Sequence, residues 1–288
     1  MTASATHRLT PTTQGPAYPP SELMDSEGHF VVVGRIHRTA PDGSVGSPWG
    51  AALVHKDTPL PSFGQRLPYR IVRELSTPLS TADHDVILHT LPLPLPCSNA
   101  PMVFAPEQLS HPGCVQRPSY PLHQVPIPDL RPADGPKVTE PIVLGQWLRA
   151  YGEVRAQLTD RGRKARFSLD LEGLIPDSLY TVMSLRRSNL TPPTPTRPGP
   201  LGVPNVFVTD RKGRGTYTAE LPDPFPPPDS TSAPDRIINI IILWMSYQQN
   251  YGGAIALFGL GADIHAQLKL PDAGFQELVT SAPHRPRP

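Results

Sequence analysis

Cysteine and charge are scarce in this sequence, and long apolar runs are missing from it. The two cysteines, Cys97 and Cys114, both fall inside a proline-rich stretch. Either they close a disulfide across an extended loop, which requires an oxidising compartment, or they are two thiols in a reducing one. The longest apolar stretch, Ile237–Met245, contains Asn239. It falls far short of the ~20 residues that span a bilayer, so no transmembrane helix is expected. Residues 1–20 hold no apolar core of a secretory signal, so a cytoplasmic location is the default, or an exported one if the chain is a mature form. Recognisable catalytic signatures are missing too. There is no Gly-x-Ser-x-Gly elbow, no phosphate-binding glycine loop and no His-Glu-x-x-His zinc motif. Gly259-Leu260-Gly261 lies within a strand pattern and reads as close packing or a bulge.

Charged residues make up 18% and hydrophobic residues 38% of the chain, and 40 prolines fill much of the difference. Proline has no backbone N–H and a fixed φ, which bars it from helix interiors and central strands. A chain so rich in it is built from short strands and extended segments. The formal net charge of +1 argues against a general nucleic-acid binder. The charge is uneven, however: residues 149–214 carry 12 Lys/Arg against 6 Asp/Glu.

The pattern along the chain predicts a mainly β protein. Residues 1–27 read as an extended polar tail, and 28–90 as a small β-rich domain with strands at Phe30–Arg38, Trp49–His55, Tyr69–Leu75 and Asp85–Thr90. Residues 91–141 hold 13 prolines but only seven charged residues, with Leu, Val, Ile, Met and Phe recurring between the prolines. Disordered linkers are usually polar, so this composition predicts an extended, docked arm, partly polyproline II. Residues 142–271 predict an antiparallel β-sandwich. It begins with a helical turn in Leu144–Tyr151 and an alternating strand Gly152–Thr159. An Asp160-Arg161-Gly162 hairpin follows, then a strand with Phe167, Leu169 and Leu171 facing in. Further strands are expected at Leu179–Leu185, Asn205–Thr209, Gly215–Leu221, Arg236–Tyr247 and Ala254–Leu270, with a C-terminal tail at 272–288. Ile237–Met245 is apolar on both faces. It is either central and covered on both sides, or turned towards a partner.

The run Gly173-Leu174-Ile175-Pro176-Asp177-Ser178-Leu179-Tyr180-Thr181-Val182 resembles the Gly-Leu-x-Pro-x-x-x-Tyr-x-Val pattern of fibronectin-type and immunoglobulin-like sandwiches. With Leu144–Gly152 and Gly261–Leu268, it is also similar to poorly characterised bacterial β-sandwich proteins, many of them exported. The likeness spans roughly residues 142–271. It implies a fold and no activity. It also implies a tyrosine corner, in which the Tyr180 hydroxyl bonds backbone a few residues upstream.

Few residues suggest chemistry. His265 and Asp263 lie two apart on the last strand, so they share a face with Gln267, opposite the apolar Ile264, Ala266 and Leu268. A His/Asp pair there is a candidate for metal or acid–base work, although the outer face of an amphipathic strand is where solvated polar residues belong. His29 and His37 share a strand face but stand too far apart to hold one ion. His84 and His89 face opposite ways, and His55 stands alone. A blue-copper set would need two His and a Cys converging, and Cys97 and Cys114 with His111 lack that spacing. Arg161, Arg163 and Lys164 in the first hairpin, with Arg186 and Arg187 at the end of the third strand, fall at one end of the sandwich. That basic pole suits an acidic partner surface, a phosphate or a lipid headgroup, or is simply a solvated set of turns. Phe104 and Tyr120 are candidate partner anchors on the arm. Thr191–Pro204 resembles a proline-rich ligand or a stiff crossover loop.

The expectation drawn from these features is a non-catalytic structural or accessory subunit without cofactor. It would dock onto other protein subunits of a larger assembly through its arms and its β-sandwich. The alternatives are a metal-binding or redox β-sandwich of cupredoxin type using His265, Asp263 and N-terminal histidines, and a hydrolase without a recognisable motif.

Overall fold

The structure is a computed structural model that describes residues 3–15, 20–61, 65–76, 78–93, 111, 114–127, 138–190, 198–250 and 264–281. It is mainly β and antiparallel. A nine-stranded sheet curls into a half-barrel in the order β12-β11-β15-β16-β1-β9-β10-β14, with β13 also on β11. These strands are β1 (Ser4–Pro11), β9 (Tyr151–Thr159), β10 (Lys164–Glu172), β11 (Leu179–Arg186), β12 (Gly199–Pro200), β13 (Val206–Val208), β14 (Gly215–Pro222), β15 (Ile237–Met245) and β16 (Ile264–Lys269). A five-stranded sheet runs β7 (Ile71–Glu74), β6 (Trp49–Val54), β3 (Phe30–Arg35), β2 (Leu23–Met24), β8 (His89–Thr90). A two-stranded ribbon joins β4 (Arg38–Thr39) to β5 (Val45–Gly46). No helix among the described residues is long and apolar enough to cross a membrane.

The first half of the large sheet forms for the reason its sequence shows. Residues alternate in and out along β9, β10 and β14, and the buried set Val154, Ala156, Phe167, Leu169, Leu171 and Tyr217 enters one core. The hairpin at Asp160–Gly162 pairs Thr159 with Lys164 and takes three consecutive left-handed residues.

Residues 4–11 depart from the expected tail. They form β1, which joins the two halves of the sheet. Ser4–Leu9 pair with β9 and Thr10–Pro11 with β16. Pro11 stands where the strand ends, so its missing N–H interrupts no ladder. Beyond it, Thr13 crosses to the small sheet: its N–H and hydroxyl donate to Val33 and Val31 carbonyls, and its Oγ1 accepts the Val33 N–H. The main core accordingly spans both sheets, from Leu23, Val31, Val33 and Leu88 to Trp147, Trp244 and Leu268. The expected tail after residue 271 is also docked as far as Ser281. Phe275 and Leu278 are buried, and the buried Arg236 guanidinium donates to both of their carbonyls.

β15 is central, between β11 and β16, and buried on both faces. Ile240, Ile242 and Trp244 enter the main core. Ile241, Leu243 and Met245 join Met183, Leu185, Ile264 and Ala266 in a second cluster on the other side. Asp85–Thr90 is only partly the strand its sequence suggests. A helical turn α1 (Thr81–His84), capped by Ser80, precedes it, and pairing as β8 is confined to His89–Thr90. A second turn, α2 (Leu144–Trp147), lies in the expected Leu144–Tyr151 stretch.

Where the arm is described, it folds back on its own chain. Leu93 and Arg117 exchange both backbone hydrogen bonds, Thr90 N–H donates to Tyr120 O, and Leu122 N–H to Leu88 O. Leu91, Leu93, Leu122 and Val125 are the buried anchors. Each contributes roughly 1.5–3 kcal/mol of burial, set against the small ordering cost of a proline-stiffened chain.

Candidate functional site

A cleft of about 620 Å³ opens where the arm meets the small sheet, lined by Met24, Gly28, Lys56, Asp57, Thr58, Leu60, Pro92 and Ser119. Three separate segments build it. The first is the loop between β2 and β3. Its Asp25 carboxylate accepts the Glu27 and His29 N–H groups on Oδ1 and holds His29 Nδ1 at 3.2 Å on Oδ2, and Gly28 supplies the positive φ that the turn requires. The second is the turn after β6. Here His55 Nδ1 accepts the Asp57 N–H, and Thr58 Oγ1 accepts the Arg70 N–H. The third is the arm, whose Ser119 hydroxyl donates to Thr90 O at 2.7 Å.

The walls combine apolar and charged groups. Met24, Leu60 and Pro92 are apolar, whereas Lys56 and Asp57 stand exposed side by side. Lys56 makes no ion pair among the described residues, and Asp57 lies 3.6 Å from His55. The pairing of Phe30 with Val54 sets His29 beside His55, with ring centroids 5.9 Å apart. His89, paired with Met24 on β8, has its pKa lowered, mainly by burial, with Asp25 opposing the shift and His123 adding to it.

His265 requires a correction. The alternating reading of β16 placed it on a solvated outer face with Gln267, but His265 and Gln267 are buried. The cause is a bulge: Ile242 pairs with Leu268 and Leu243 with Ala266, leaving Gln267 as the extra residue. Past the bulge the faces exchange, so Ile264 and Ala266 join the outer cluster while His265 pairs with Trp244. Its Nε2 meets Ser246 Oγ at 3.1 Å, its Nδ1 has no hydrogen-bond partner, and its ring lies 5.8 Å from that of Trp244. Burial first, and the Arg117 charge second, push its pKa down to about 3, with the Glu22 backbone opposing the shift. Asp263 lies outside the described residues, and among those residues no group of three or more His, Cys, Asp or Glu is placed to hold a metal ion.

Gln267 is placed by its bonds. Its Oε1 accepts the Tyr180 hydroxyl at 2.6 Å and its Nε2 donates to Trp147 O at 3.0 Å. Tyr180 is fully buried, and its hydroxyl also accepts the Ile175 N–H, five residues upstream, at 2.8 Å. Lys269, likewise buried, donates to Gln14 O at 2.9 Å and lies 5.6 Å over the Trp49 ring. Burial lowers its pKa to about 8, with Glu22 opposing the shift and Arg35 adding to it.

The basic residues are brought to one end of the sheet but are largely engaged there. Arg163 pairs with Asp160 at 2.6 Å, Lys164 with Glu220 at 3.3 Å, and Arg186 donates to Asp235 O at 2.6 Å. Arg161 takes a left-handed turn conformation, and Arg187 N–H donates to Arg236 O. Tyr120 is half-buried on the arm beside β8, Cys114 is free and exposed, and Phe104 and Cys97 lie outside the described residues.

The cleft escaped sequence reasoning, because its parts are far apart in the chain and no local motif marks them. The one available signal was the pairing of the strands after His29 and before His55. No protein-family profile matches the chain, and no curated protein is significantly similar to it.

Proposed function

We propose that this protein is a non-catalytic accessory subunit that docks onto a larger protein assembly, and that the cleft receives an extended segment of a partner chain. The observation that carries this reading is the arm. A proline-stiffened strand, anchored by Leu91, Leu93 and Leu122, supplies Pro92 and Ser119 as one fixed wall of an open groove. A wall ordered before binding removes part of the entropic cost of association. Apolar walls flanked by neighbouring opposite charges suit alternating side chains of an extended peptide.

The test places a photo-crosslinking residue at Leu60, with a control at Arg166 on the exposed face of β10, and isolates the protein from its native cells. Crosslinks from position 60 to one defined segment of one partner, absent from position 166 and abolished by the added substitution Lys56→Glu with Asp57→Arg, support the reading. A native assembly that forms equally well with Leu60→Arg overturns it.

A further inference from the structure

Residues 274–281 form a strap across the end of the large sheet that carries the Asp160–Gly162 hairpin and the start of β15, after an exposed connector at 271–273. Strand pairing does not fasten it. Gly274 N–H donates to Ile238 O at 2.9 Å, Thr280 N–H to Phe225 O at 2.8 Å and Ser281 N–H to Gly162 O at 2.9 Å. Between these points the Arg236 guanidinium holds the Phe275 and Leu278 carbonyls. The Phe275 ring is fully buried, with its centroid 4.8 Å from that of His7, 5.4 Å from Phe225 and 5.9 Å from Phe167. Two contacts then meet at one atom. The Phe275 N–H donates to His7 Nε2 at 3.2 Å, and Glu277 Oε1 stands 3.1 Å from the same nitrogen. We infer that His7 is a proton-operated catch for the strap: a bare Nε2 holds the Phe275 main chain, and a protonated one releases it and takes Glu277. The inference is independent of the reading of the cleft.

An imidazole nitrogen has one position in the ring plane, filled by a lone pair or by a hydrogen. With the hydrogen on Nδ1, the Nε2 lone pair accepts the Phe275 N–H, and the Glu277 carboxylate faces it with no hydrogen between them. With a hydrogen on Nε2, as in the imidazolium, the carboxylate becomes a charge-assisted acceptor and the Phe275 N–H loses its partner. The two contacts are therefore alternatives. The surroundings add few other charges. Glu277 also acts on Arg236, the cation that holds the strap's carbonyls. On β9 the residue opposite His7 is Val154, whose neighbours Glu153 and Arg155 lie on the solvent face, as does Arg8 beside His7 on β1. Gly274, which presents no side chain, lies against the imidazole and Leu270.

Phe275 is the place where losing a bond matters most. Its φ of 63° is left-handed, which is unfavourable for so bulky a residue and persists only where the surroundings over-determine it. Three things fix it: the ring in its aromatic pocket, Arg236 on the carbonyl, and His7 on the N–H. Protonation of His7 removes the third. The far end of the strap keeps its hold, because the main-chain bonds of Thr280 and Ser281 run to carbonyl oxygens that do not titrate. Acid therefore opens the strap from its Phe275 end and bares Phe167 and Phe225.

The test is nuclear magnetic resonance on the isolated full chain, labelled with nitrogen-15, at pH 8 and pH 5, which bracket the range in which imidazoles titrate. A scalar coupling across the Phe275 N–H···Nε2 bond should be present at pH 8 and lost at pH 5. Hydrogen exchange, corrected for intrinsic rates, should show Phe275 protection falling tenfold or more over the same interval, with Thr280, Ser281 and Leu169 of β10 changing far less. His7→Gln offers an oxygen to Phe275 and an N–H to Glu277 at separate atoms, so it should keep Phe275 protected at both pH values. Glu277→Gln should leave the fall in place but move it to lower pH, because the imidazolium loses its counter-charge. No coupling at pH 8, or equal Phe275 protection at both pH values, overturns the catch. The same fall in His7→Gln overturns it too, by assigning the acid response to another part of the fold. Should that variant not fold, the coupling and its loss in the wild type decide the question alone.

Discussion

Strand β14 buries Gly215, Tyr217, Ala219 and Leu221 and leaves Thr216, Thr218 and Glu220 in solvent, whereas β15 in the same sheet buries nearly every residue from Ile237 to Met245. The first pattern belongs to an antiparallel sheet with one wet face, the second to a strand covered on both. The wet half is held by a single face, so its outer residues are free to vary. The covered half is held from two sides and has no neutral positions. Polar groups that fall in it, such as Gln267, Lys269 and His265, must be satisfied or kept uncharged by the fold.

Truncation should expose this difference most strongly. Ile241→Ala, in the outer cluster of β15, should cost about 2–5 kcal/mol in urea unfolding, as for a fully buried aliphatic side chain. Thr218→Ala on the outer face of β14 should stay within about 0.5 kcal/mol. Equal small effects would show that the outer cluster of β15 is not a packed core.

Acid separates the halves next. His265 has a pKa of about 3 in the fold against about 6.5 in an unfolded chain. The unfolded state therefore binds more protons as pH drops through 6.5, and stability is lost across the window from there towards 3. Between pH 7 and pH 5 the loss should be about 2 kcal/mol. His37 and His89, also lowered chiefly by burial, act in the same direction. Lys269 moves stability in the alkaline range. Charged in both states below about pH 8, it loses its proton first in the fold, so stability should rise between pH 8 and 10. Above that, Tyr180 and Tyr217, both pushed up by burial, reverse the trend as unfolded tyrosines ionise. Chemical denaturation in a pH series checks both slopes. His265→Gln should flatten the acid limb, and Lys269→Met the rise above pH 8.

The same contrast explains how much of the molecule was legible. Alternation in Val154–Leu158, Phe167–Leu171 and Gly215–Leu221 maps directly onto faces, because one wet side enforces a period of two. It misleads in β16, where one extra residue at Gln267 exchanges the faces, a shift set by pairing with β15 and invisible in a single strand. Ser4–Pro11 offered only Ala5 and Leu9 as apolar positions among polar and charged residues, and its order comes from partners more than a hundred residues away. The cleft was hidden for a similar reason. Residues 24–28, 56–60, Pro92 and Ser119 meet only because the arm turns back on β8.

Tyr180 tests the comparison at one atom. Its hydroxyl couples the Ile175 N–H to the Gln267 amide, so Tyr180→Phe should cost about 1–3 kcal/mol, part of it from leaving Gln267 Oε1 buried without its donor. Gln267→Met alongside it should recover some of that loss, since removing both partners is cheaper than removing one. Additive losses in the double variant would mean that the two side chains are not coupled.

The smallest effect is expected at the basic pole. Lys164 reaches Glu220 at 3.3 Å and Arg166 reaches it at 3.6 Å, all on the exposed face of the β10–β14 pair. Lys164, through a hydrogen bond, is the main cause of the lowered Glu220 pKa. Contacts this exposed are screened by solvent and salt and lose side-chain freedom in forming, so they contribute little. Lys164→Ala should leave the melting temperature unchanged within error, and Arg163→Ala, which frees Asp160, should do the same. Raising the salt concentration should not alter either result. A clear loss of stability in both variants that salt abolishes would mean that these cations hold the end of the sheet together, giving the wet half an electrostatic dependence like that of the buried one.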